Sequence, residues 1–349
     1  MEVLSVKLHG VRALSALAVA SLALTSCGSS DQGGGGEEKF TQVKMSYDND
    51  DFMNQMTWMV ADEKYWPELG FTEPADVTAS DEYMAALTGG DVWIAQGESD
   101  AVWAAMAQGS VPLKIVGVIK DTEAWWLGVR EGVDPNNLAG LKISGGPIGD
   151  RNVKVAEKLL EERGVDPKSM DFVSIPGGSD DRLTALLAGQ IDVAVLQPRH
   201  EAPLVENGGQ MIEKKYQEVP QETWVVREET LENHKDEVCA YIEGRVEALQ
   251  YVSEGPDHTA NRDAVLEIVR ARGLDPSQAE IDEWTQEMSN QLALDGGSSL
   301  ESFEQWNQDM IDNGNVPEGF DWKEHADFSC LTAAQEKLGL KPDPGNITG

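Results

Sequence analysis

Two passages of the sequence, Ala85–Gly97 (AALTGGDVWIAQG) and Ala185–Pro198 (ALLAGQIDVAVLQP), follow the same pattern. Each begins as the end of an apolar helix, passes through glycine and continues as a short apolar strand that ends in glutamine. Gly89 and Gly189 stand where helices commonly stop. A helix–strand junction that occurs twice predicts a chain built from two similar α/β units.

The sequence around both passages alternates between short apolar runs and amphipathic segments. Such alternation predicts strands and helices in turn, and therefore a mostly parallel sheet covered on both faces. The predicted strands are 43–47, 75–80, 91–95 and 113–119 in the first unit, and 141–144, 170–175 and 191–196 in the second. After Thr230 only helical patterns follow, so the C-terminal tail is expected to pack on the first unit.

Two further segments, Glu123–Val133 and Glu222–Leu231, resemble each other and bracket the second unit. Both place tryptophan before an apolar run that ends in Val-Arg-Glu. We predict that they are the outgoing and returning strands between two lobes. The first lobe would comprise 40–124 and 226–349, and the second lobe would comprise 125–225. The roughly 310 residues available are enough for two domains of ordinary size.

The N-terminus predicts export and lipid attachment. The apolar run Ala13–Ala23 is shorter than the roughly 20 residues that span a bilayer, and it fits the apolar region of a signal peptide. It leads into Leu-Thr-Ser-Cys, which resembles a bacterial lipobox and implies a signal peptide over 1–26 and a lipid on Cys27. The alternative is an ordinary signal peptide before an unrelated cysteine. Residues 27–39 are expected to form a flexible, glycine-rich linker.

The charge and the cysteines of the sequence argue against some kinds of binding site. A formal net charge of −35 argues against nucleic-acid binding, because neutralising phosphates requires Lys and Arg. Besides Cys27, the chain has only Cys239 and Cys330, which an oxidising compartment would join in a disulfide; two separate buried thiols are the alternative. There is no Cys-x-x-Cys motif and no His pair at helical ligand spacing, so we predict neither a metal site nor a cofactor.

Together these features resemble a bacterial ABC-transporter solute-binding lipoprotein of the NitT/TauT-type group. The resemblance is carried by Leu138–Asn152, Asp180–Pro198 and Trp224–Gly244, and it covers roughly residues 40 to 340. It implies a type II periplasmic-binding-protein fold, with two lobes that are mostly parallel sheets flanked by helices. Two crossover strands would join the lobes, and the helical tail would pack on the first.

The same resemblance implies a function and partners. The group captures sulfonates, taurine, nitrate or thiamine-precursor pyrimidines by hinge closure, and delivers them to a membrane permease. A monomer held outside the cytoplasmic membrane by its lipid anchor, with a small-molecule ligand and no catalytic role, is therefore expected. The alternative is an enzyme or sensor on the same fold, such as a pyrimidine-synthase-like protein. Those enzymes carry a cysteine-rich motif, and here no cysteine lies between Cys27 and Cys239.

Candidate ligand-binding residues follow from the fold, since ligands of open parallel sheets bind beyond the carboxyl ends of strands. The first lobe would supply Tyr47, Asp48, Asn49, Gln96, Gly97, Glu98 and Lys120. The second lobe would supply a glycine turn before a helix and the end of its third strand, namely Gly145, Gly146, Ile148, Asp150, Arg151, Asn152, Gln197 and Arg199. Trp125 and Trp224, near the crossings, could stack on a flat ligand.

Several of these residues have a second interpretation. Asp48 and Asn49 are equally placed to cap the following helix, and Arg199 fits a solvated helix start. Trp125 and Trp126 should point to opposite faces of a strand, so only one of them can face a cleft. The carboxylates among the candidates would be costly beside an anion, which favours a neutral or cationic heterocycle, such as a pyrimidine, over a sulfonate.

The lipobox generates a direct test. Replacing Cys27→Ser removes the sulfur that would carry the lipid, so the variant should leave the membrane fraction and accumulate in the medium or periplasm. Cell fractionation followed by immunoblotting measures this. A variant that stays in the membrane fraction would contradict lipid attachment at Cys27.

Overall fold

The computed structural model describes residues 40–48, 52–148 and 151–341 of the 349-residue chain. The predicted signal peptide, Cys27 and linker lie outside the described residues, as do Asn49 and Asp150. In the part of the chain that is described, no helix is both long enough and apolar enough to cross a membrane.

A sheet of eight strands organises the described chain. The strands are β1 (Gln42–Tyr47), β2 (Glu73–Ala79), β3 (Ile94–Glu98), β4 (Leu113–Val129), β5 (Lys142–Ser144), β6 (Asp171–Phe172), β7 (Val193–Leu196) and β8 (Gln210–Arg227). Their order is β2-β1-β3-β8-β4-β7-β5-β6. Pairing is parallel within β2-β1-β3 and within β7-β5-β6, whereas β8 and β4 pair antiparallel with each other and with their outer neighbours. Two parallel units are therefore joined by a central antiparallel ribbon, and the predicted fold class is confirmed.

Twelve α-helices flank this sheet within the described residues. They are α1 (Phe52–Lys64), α2 (Tyr83–Gly89), α3 (Ser99–Gln108), α4 (Arg151–Glu162), α5 (Ser179–Leu187), α6 (Glu201–Glu206), α7 (Glu228–Asn233), α8 (Lys235–Val252), α9 (Arg262–Ala271), α10 (Gln278–Gln291), α11 (Leu300–Asp312) and α12 (Ser329–Leu338). Local chemistry sets some of these boundaries. Ser277 caps α10 by accepting from the Glu280 N–H, and the Glu280 carboxylate accepts from the Ser277 N–H in return.

The two repeated passages adopt the same local structure, namely α2 followed by β3 and α5 followed by β7. A glycine in the left-handed region lies between helix and strand in both, Gly90 with φ of 90° and Gly189 with φ of 70°. The sequence pattern placed the first stop at Gly89, but Gly89 is the last residue of α2. The left-handed position needs a residue without Cβ strain, and either glycine satisfies that requirement.

The apolar side chains form separate cores on the two parallel units. The larger core joins β1–β3 and the helices between them to the C-terminal tail, with buried aromatic side chains such as Trp103 of α3, Phe303 and Trp322. On the other unit, Val193 and Val195 of β7 face one smaller core, and Ala194 and Leu196 face another. Because successive side chains of β7 point to opposite faces of the sheet, an apolar core packs on each face. The lobe boundaries at 124/125 and 225/226 remain a prediction.

The central ribbon is longer than the sequence patterns suggested. The runs at 113–119 and 123–133 were predicted as two strands, and the structure joins them in the 17-residue β4. The 18-residue β8 begins at Gln210, well before the returning segment that was predicted from Glu222. Charged and amide residues dominate the early part of β8, so its apolar signal is weak.

The pairing of the ribbon is interrupted at its centre. Lys120 pairs with Glu222 and Thr122 pairs with Glu218, so the segment Val219–Gln221 lies opposite the single residue Asp121. This is a bulge of the kind that bends a strand and increases its twist. Pro220 at its middle has no N–H to donate to a ladder. The ribbon therefore bends between the two cores.

Cys239 of α8 and Cys330 of α12 form a disulfide, with Cα atoms 4.6 Å apart and a sequence separation of 91. It ties α12, the last helix of the described chain, to α8 near the start of the C-terminal tail. Both cysteines contact the larger core.

Removing this bridge should destabilise the protein. Chain-entropy estimates for a loop of this length amount to about 4–5 kcal/mol, so a Cys239→Ser, Cys330→Ser variant should unfold at a clearly lower denaturant concentration. Thiol titration of the unfolded, unreduced wild type provides the matched control and should detect neither cysteine. Two titratable thiols would contradict the disulfide.

Candidate functional site

Two adjoining clefts, named here the front cleft and the rear cleft, are lined by elements of the first unit and elements of the second. The front cleft has a volume of about 440 Å³ and is lined by Phe52, Met53, Glu98, Lys120, Ser179, Asp180, Gln197, Arg199, Gln221, Glu222, Glu280, Glu283 and Gln291. The rear cleft has a volume of about 530 Å³ and is lined by Glu98, Asp100, Glu123, Arg151, Asn152, Lys154, Gly177, Gly178, Ser179, Arg182, Gln197, Gln221, Met310, Asn313 and Asn315. Volumes of this size suit a small organic molecule.

The two repeated passages of the sequence end at or next to residues that the two clefts share. Glu98 ends β3, directly after Gln96-Gly97, and Gln197 directly follows β7. Both side chains line both clefts. The carboxyl ends of two equivalent parallel strands therefore meet at one site, as expected for open α/β sheets. Gln221, from the bulge of the central ribbon, also lines both clefts.

A buried ion pair forms part of the front cleft. Lys120 Nζ lies 2.7 Å from Glu222 Oε1, and the two side chains are only 6% and 1% exposed. Asn54 Nδ2 donates to Glu222 Oε2 over 2.6 Å, and Gln96 Nε2 lies 3.5 Å from the same oxygen. A buried carboxylate needs such a set of donors, because its desolvation is otherwise costly.

A second layer of buried polar groups supports Gln96 from behind. The Gln96 Oε1 atom accepts from Arg245 Nη2 over 2.9 Å and from Trp224 Nε1 over 3.2 Å. Arg245 is fully buried and also donates to the Tyr241 hydroxyl over 2.8 Å. These bonds fix the orientation of the Gln96 amide, so that its NH₂ group points toward Glu222.

Half-buried carboxyl groups lie at Glu98, which lines both clefts, and at Asp48 directly behind it. Asp48 accepts from the Glu98 backbone N–H over 2.7 Å. Burial, and then the nearby Glu222 carboxylate, raise the pKa of Asp48 to about 7 against the opposing effect of Lys120. Burial also raises the pKa of Glu98 well above its ordinary value, with Glu222 and Asp48 adding to the rise. Asp48 is therefore partly protonated at neutral pH, and a change in local charge shifts its protonation.

Several contacts span the rear cleft. The Arg151 guanidinium, at the start of α4, pairs with Glu123 of β4. It lies 5.4 Å from the ring centre of Trp125 and 4.8 Å from that of Trp306 on α11. Three residues further along α4, Lys154 Nζ donates to Asn313 Oδ1 over 2.5 Å. These contacts join the second unit to the C-terminal tail of the first.

The start of α5 and the turn after β7 form the second unit's wall of the front cleft. His200 is buried, its Nδ1 accepts from the Gln197 N–H over 3.0 Å, and its Nε2 lies 2.9 Å from Asp180 Oδ1. Because Nδ1 accepts, Nε2 carries the proton and donates to Asp180. Burial lowers the pKa of His200, and the hydrogen bond from His200 lowers that of Asp180. Arg199 Nη2 donates to Ser179 Oγ over 3.0 Å.

The structure brings six of the predicted site residues to the clefts: Glu98, Lys120, Arg151, Asn152, Gln197 and Arg199. Gln96 and Asp48 lie behind them, since Gln96 contacts Glu222 and Asp48 contacts Glu98, and Tyr47 is buried. Gly146 donates its N–H to Ser144 Oγ, and the Ile148 side chain is 65% exposed.

Two predicted tryptophans do not line the clefts. Trp224 is fully buried in the larger core, where it stacks edge-on against Tyr241. Trp125 is 5% exposed and belongs to a core of the second unit, beneath Arg151. The prediction that they stack on ligand is therefore corrected: both are core residues, because their strand positions face inward.

Two predicted glycines serve packing. A Cβ on Gly97 would meet the Tyr83 ring at 2.2 Å, and a Cβ on Gly145 would meet the Asn152 backbone at 2.4 Å. Both positions need glycine for close approach of neighbouring elements.

Several cleft residues were missed by sequence reasoning. They come from the crossing ribbon, the start of α5 and two helices of the tail, and the main ones are Glu123, Ser179, Asp180, Arg182, Gln221, Glu222 and Glu283. Ser179 and Asp180 stand at a helix start after a predicted strand, a signal that could have identified them. In the described ranges, no three His, Cys, Asp or Glu side chains are grouped so that they could hold a metal ion.

Solved structures of low sequence identity share this fold. A putative sulfonate ABC transporter, periplasmic sulfonate-binding protein SsuA from Methylobacillus flagellatus KT, aligns with a TM-score of 0.65 at 14% identity, covering 89% of this chain and 99% of that one. The periplasmic nitrate-binding protein NrtA from Synechocystis PCC 6803 gives 0.61 at 13% identity, covering 86% and 89%. A DszB mutant in complex with biphenyl-2-sulfinic acid gives 0.60 at 12% identity, covering 85% and 100%.

Family assignment rests on the sequence. No curated protein sequence matches this chain. The family described as NMT1/THI5 like matches residues 68–259, a span that contains the α2–β3 and α5–β7 passages and both strands of the central ribbon. Because this match extends over more than half of the chain, the protein belongs to the NMT1/THI5-like family.

Proposed function

We propose that this protein is the extracytoplasmic solute-binding component of an ABC importer. The proposal rests on two adjoining clefts. Their walls come from both units, and the bent ribbon of β4 and β8 joins these units. A ligand there contacts both units at once. Contacts to both units allow a ligand to shift an equilibrium between open and closed forms.

The fold relatives support this proposal. SsuA and NrtA are named as sulfonate-binding and nitrate-binding proteins, and their alignments cover 89% and 86% of this chain. We extend their role to this chain: capture of a small organic nutrient, closure about the ribbon, and delivery to a membrane permease. The nutrient belongs to the pyrimidine-like or the sulfonate and taurine class.

The proposed setting follows from the N-terminal pattern. A lipid on Cys27 would hold the protein at the outer face of the cytoplasmic membrane, where a permease is within reach. One acyl chain gives only marginal anchoring, whereas the lipid of a mature lipoprotein supplies more than one. The protein would act as a monomer, because one chain supplies both walls of the site.

The alternative is an enzyme on the same fold, and DszB shows that the fold is not confined to proteins named for binding. Acyl transfer or hydrolysis would need a nucleophile next to a general base. Ser179 lines the cleft, but its Oγ accepts from Arg199. The nearby His200 uses one ring nitrogen for the Gln197 N–H and the other for Asp180. This arrangement favours binding over nucleophilic catalysis.

Native mass spectrometry and small-angle scattering test the proposal together. Protein purified without denaturation should release an unmodified small solute, and adding that solute back should reduce the radius of gyration. Asn152→Ala removes a hydrogen-bonding group from the second unit's wall, so the dissociation constant should rise roughly fivefold for about 1 kcal/mol of lost hydrogen bonding.

The control for this experiment is Asn137→Ala, an exposed asparagine of the second unit outside both clefts. It should leave affinity and compaction unchanged. Chemical conversion of the solute, or full affinity in the Asn152 variant, would contradict the proposed function or the proposed wall respectively.

A further inference from the structure

Two residues that line both clefts are held from behind by hydrogen bonds to their backbone. Glu98 ends β3, Gln197 follows β7, and both face the front and the rear cleft. Asp48 Oδ2 accepts from the Glu98 N–H over 2.7 Å, and His200 Nδ1 accepts from the Gln197 N–H over 3.0 Å. In both units a neighbouring side chain therefore fixes the backbone where a strand end reaches the clefts.

The turn from Gln197 to His200 is closed in both directions. The Gln197 N–H donates to His200 Nδ1, and the His200 N–H donates to the Gln197 carbonyl over 3.0 Å. Pro198, between them, is buried and has a fixed φ. His200 itself is 2% exposed, so packing holds its ring in place. A reciprocal pair of this kind sets the direction in which the Gln197 side chain leaves the strand end.

The second ring nitrogen joins this turn to the start of α5. His200 Nε2 donates to Asp180 Oδ1 over 2.9 Å, and Arg199 Nη2 donates to Ser179 Oγ over 3.0 Å. Asp180 and Ser179 line the front cleft together with Gln197. The Asp180 side chain is 74% exposed, so water competes for its bond with His200. The bond at Nδ1 is therefore the stronger of the two constraints.

Resting on the proposed solute-binding function, we infer that His200 is a positioning residue for solute binding. As the tautomer protonated at Nε2, it fixes Gln197 on the wall that both clefts share. Only this tautomer fits, because Nδ1 needs a lone pair to accept from Gln197 and Nε2 needs the proton that it donates to Asp180. His200 lies outside the lining of both clefts, so it acts through these two residues.

The surroundings of His200 favour the neutral ring. Burial lowers the pKa of His200 in spite of its bond to Asp180, and the charges of Arg199 and Arg182 add to the decrease. A protonated ring would carry N–H at both nitrogens, and the Gln197 N–H would then face a donor. The neutral ring is therefore the form that can hold the wall.

Two substitutions of His200 separate its two bonds. Asn places an amide oxygen near the position of Nδ1, so His200→Asn can still accept from the Gln197 N–H but loses the bond to Asp180. Gln places an amide NH₂ group near the position of Nε2, so His200→Gln can still donate to Asp180 but leaves the Gln197 N–H without its acceptor. Both replacements are polar amides, so a general loss of packing would affect the two variants alike.

Nuclear magnetic resonance of the full chain tests the tautomer and the constraint on Gln197. The ring-nitrogen shifts of isotope-labelled histidine should show His200 protonated at Nε2, and loss of these signals in His200→Asn assigns them. Hydrogen exchange of the Gln197 N–H should be about tenfold faster in His200→Gln and close to wild type in His200→Asn. A ring protonated at Nδ1, or equal exchange in the two variants, overturns the inference.

Calorimetry tests the consequence for binding, with taurine and cytosine as probes for the two proposed solute classes. The affinity for the probe that the wild type binds should fall about tenfold in His200→Gln and stay within roughly threefold in His200→Asn. His325→Gln changes a half-buried histidine outside both clefts, and it should bind like the wild type. Equal affinities in the two His200 variants, or a larger loss in His200→Asn, overturn the inference.

Failure of this inference and failure of the proposed function give different results. Wild type that binds neither probe and releases no solute contradicts solute binding, while the tautomer and the Gln197 exchange rates still test the constraint. Wild type that binds a probe, with equal affinities in both His200 variants, keeps the function and removes the role of His200. If His200→Gln does not fold, Gln197 exchange in His200→Asn decides, because fast exchange there overturns the inference.

Discussion

The buried pair of Lys120 and Glu222 lies at the centre of the ribbon that joins the two units, and much of the site depends on it. The two residues are opposite each other on β4 and β8, between two irregularities of the pairing, and the bulge follows directly. Removing one partner of such a pair leaves a buried charge and typically costs about 3–5 kcal/mol. The pair therefore joins the two strands at the centre of the ribbon and presents a carboxylate to the front cleft.

The bulge after this pair gives the ribbon its second role. Val219–Gln221 has no regular partners on β4, and Pro220 has no N–H. Local bending is easiest where ladder hydrogen bonds are already missing. Gln221 belongs to the bulge and also lines both clefts, so a bend of the ribbon at this point would change the shape of the site.

Charge is distributed unevenly over the site. In the front cleft carboxyl groups outnumber cations, whereas in the rear cleft Arg151, Lys154 and Arg182 balance Glu98, Asp100 and Glu123. Charges in the partly desolvated clefts interact more strongly with a solute than the many acidic groups on the surface do, because surface charges are screened by water and salt. The net charge of the chain therefore predicts little about the solute, whereas the few buried carboxylates predict more.

The sequence by itself determined the α/β class, the two similar units and the helical tail, because local periodicity and glycine stops act over a few residues. The same local logic identified Glu98, Lys120, Arg151, Asn152, Gln197 and Arg199, which follow strands or begin a helix. It placed Trp125 and Trp224 in the site as well, because the pattern of a strand does not reveal which face is covered. Only the tertiary structure brought Glu222, Ser179 and Glu283 together, since these residues belong to a ribbon and two helices that are far apart in the chain. Their environments, and hence the charge of the cleft, arise from burial that no short stretch of sequence contains.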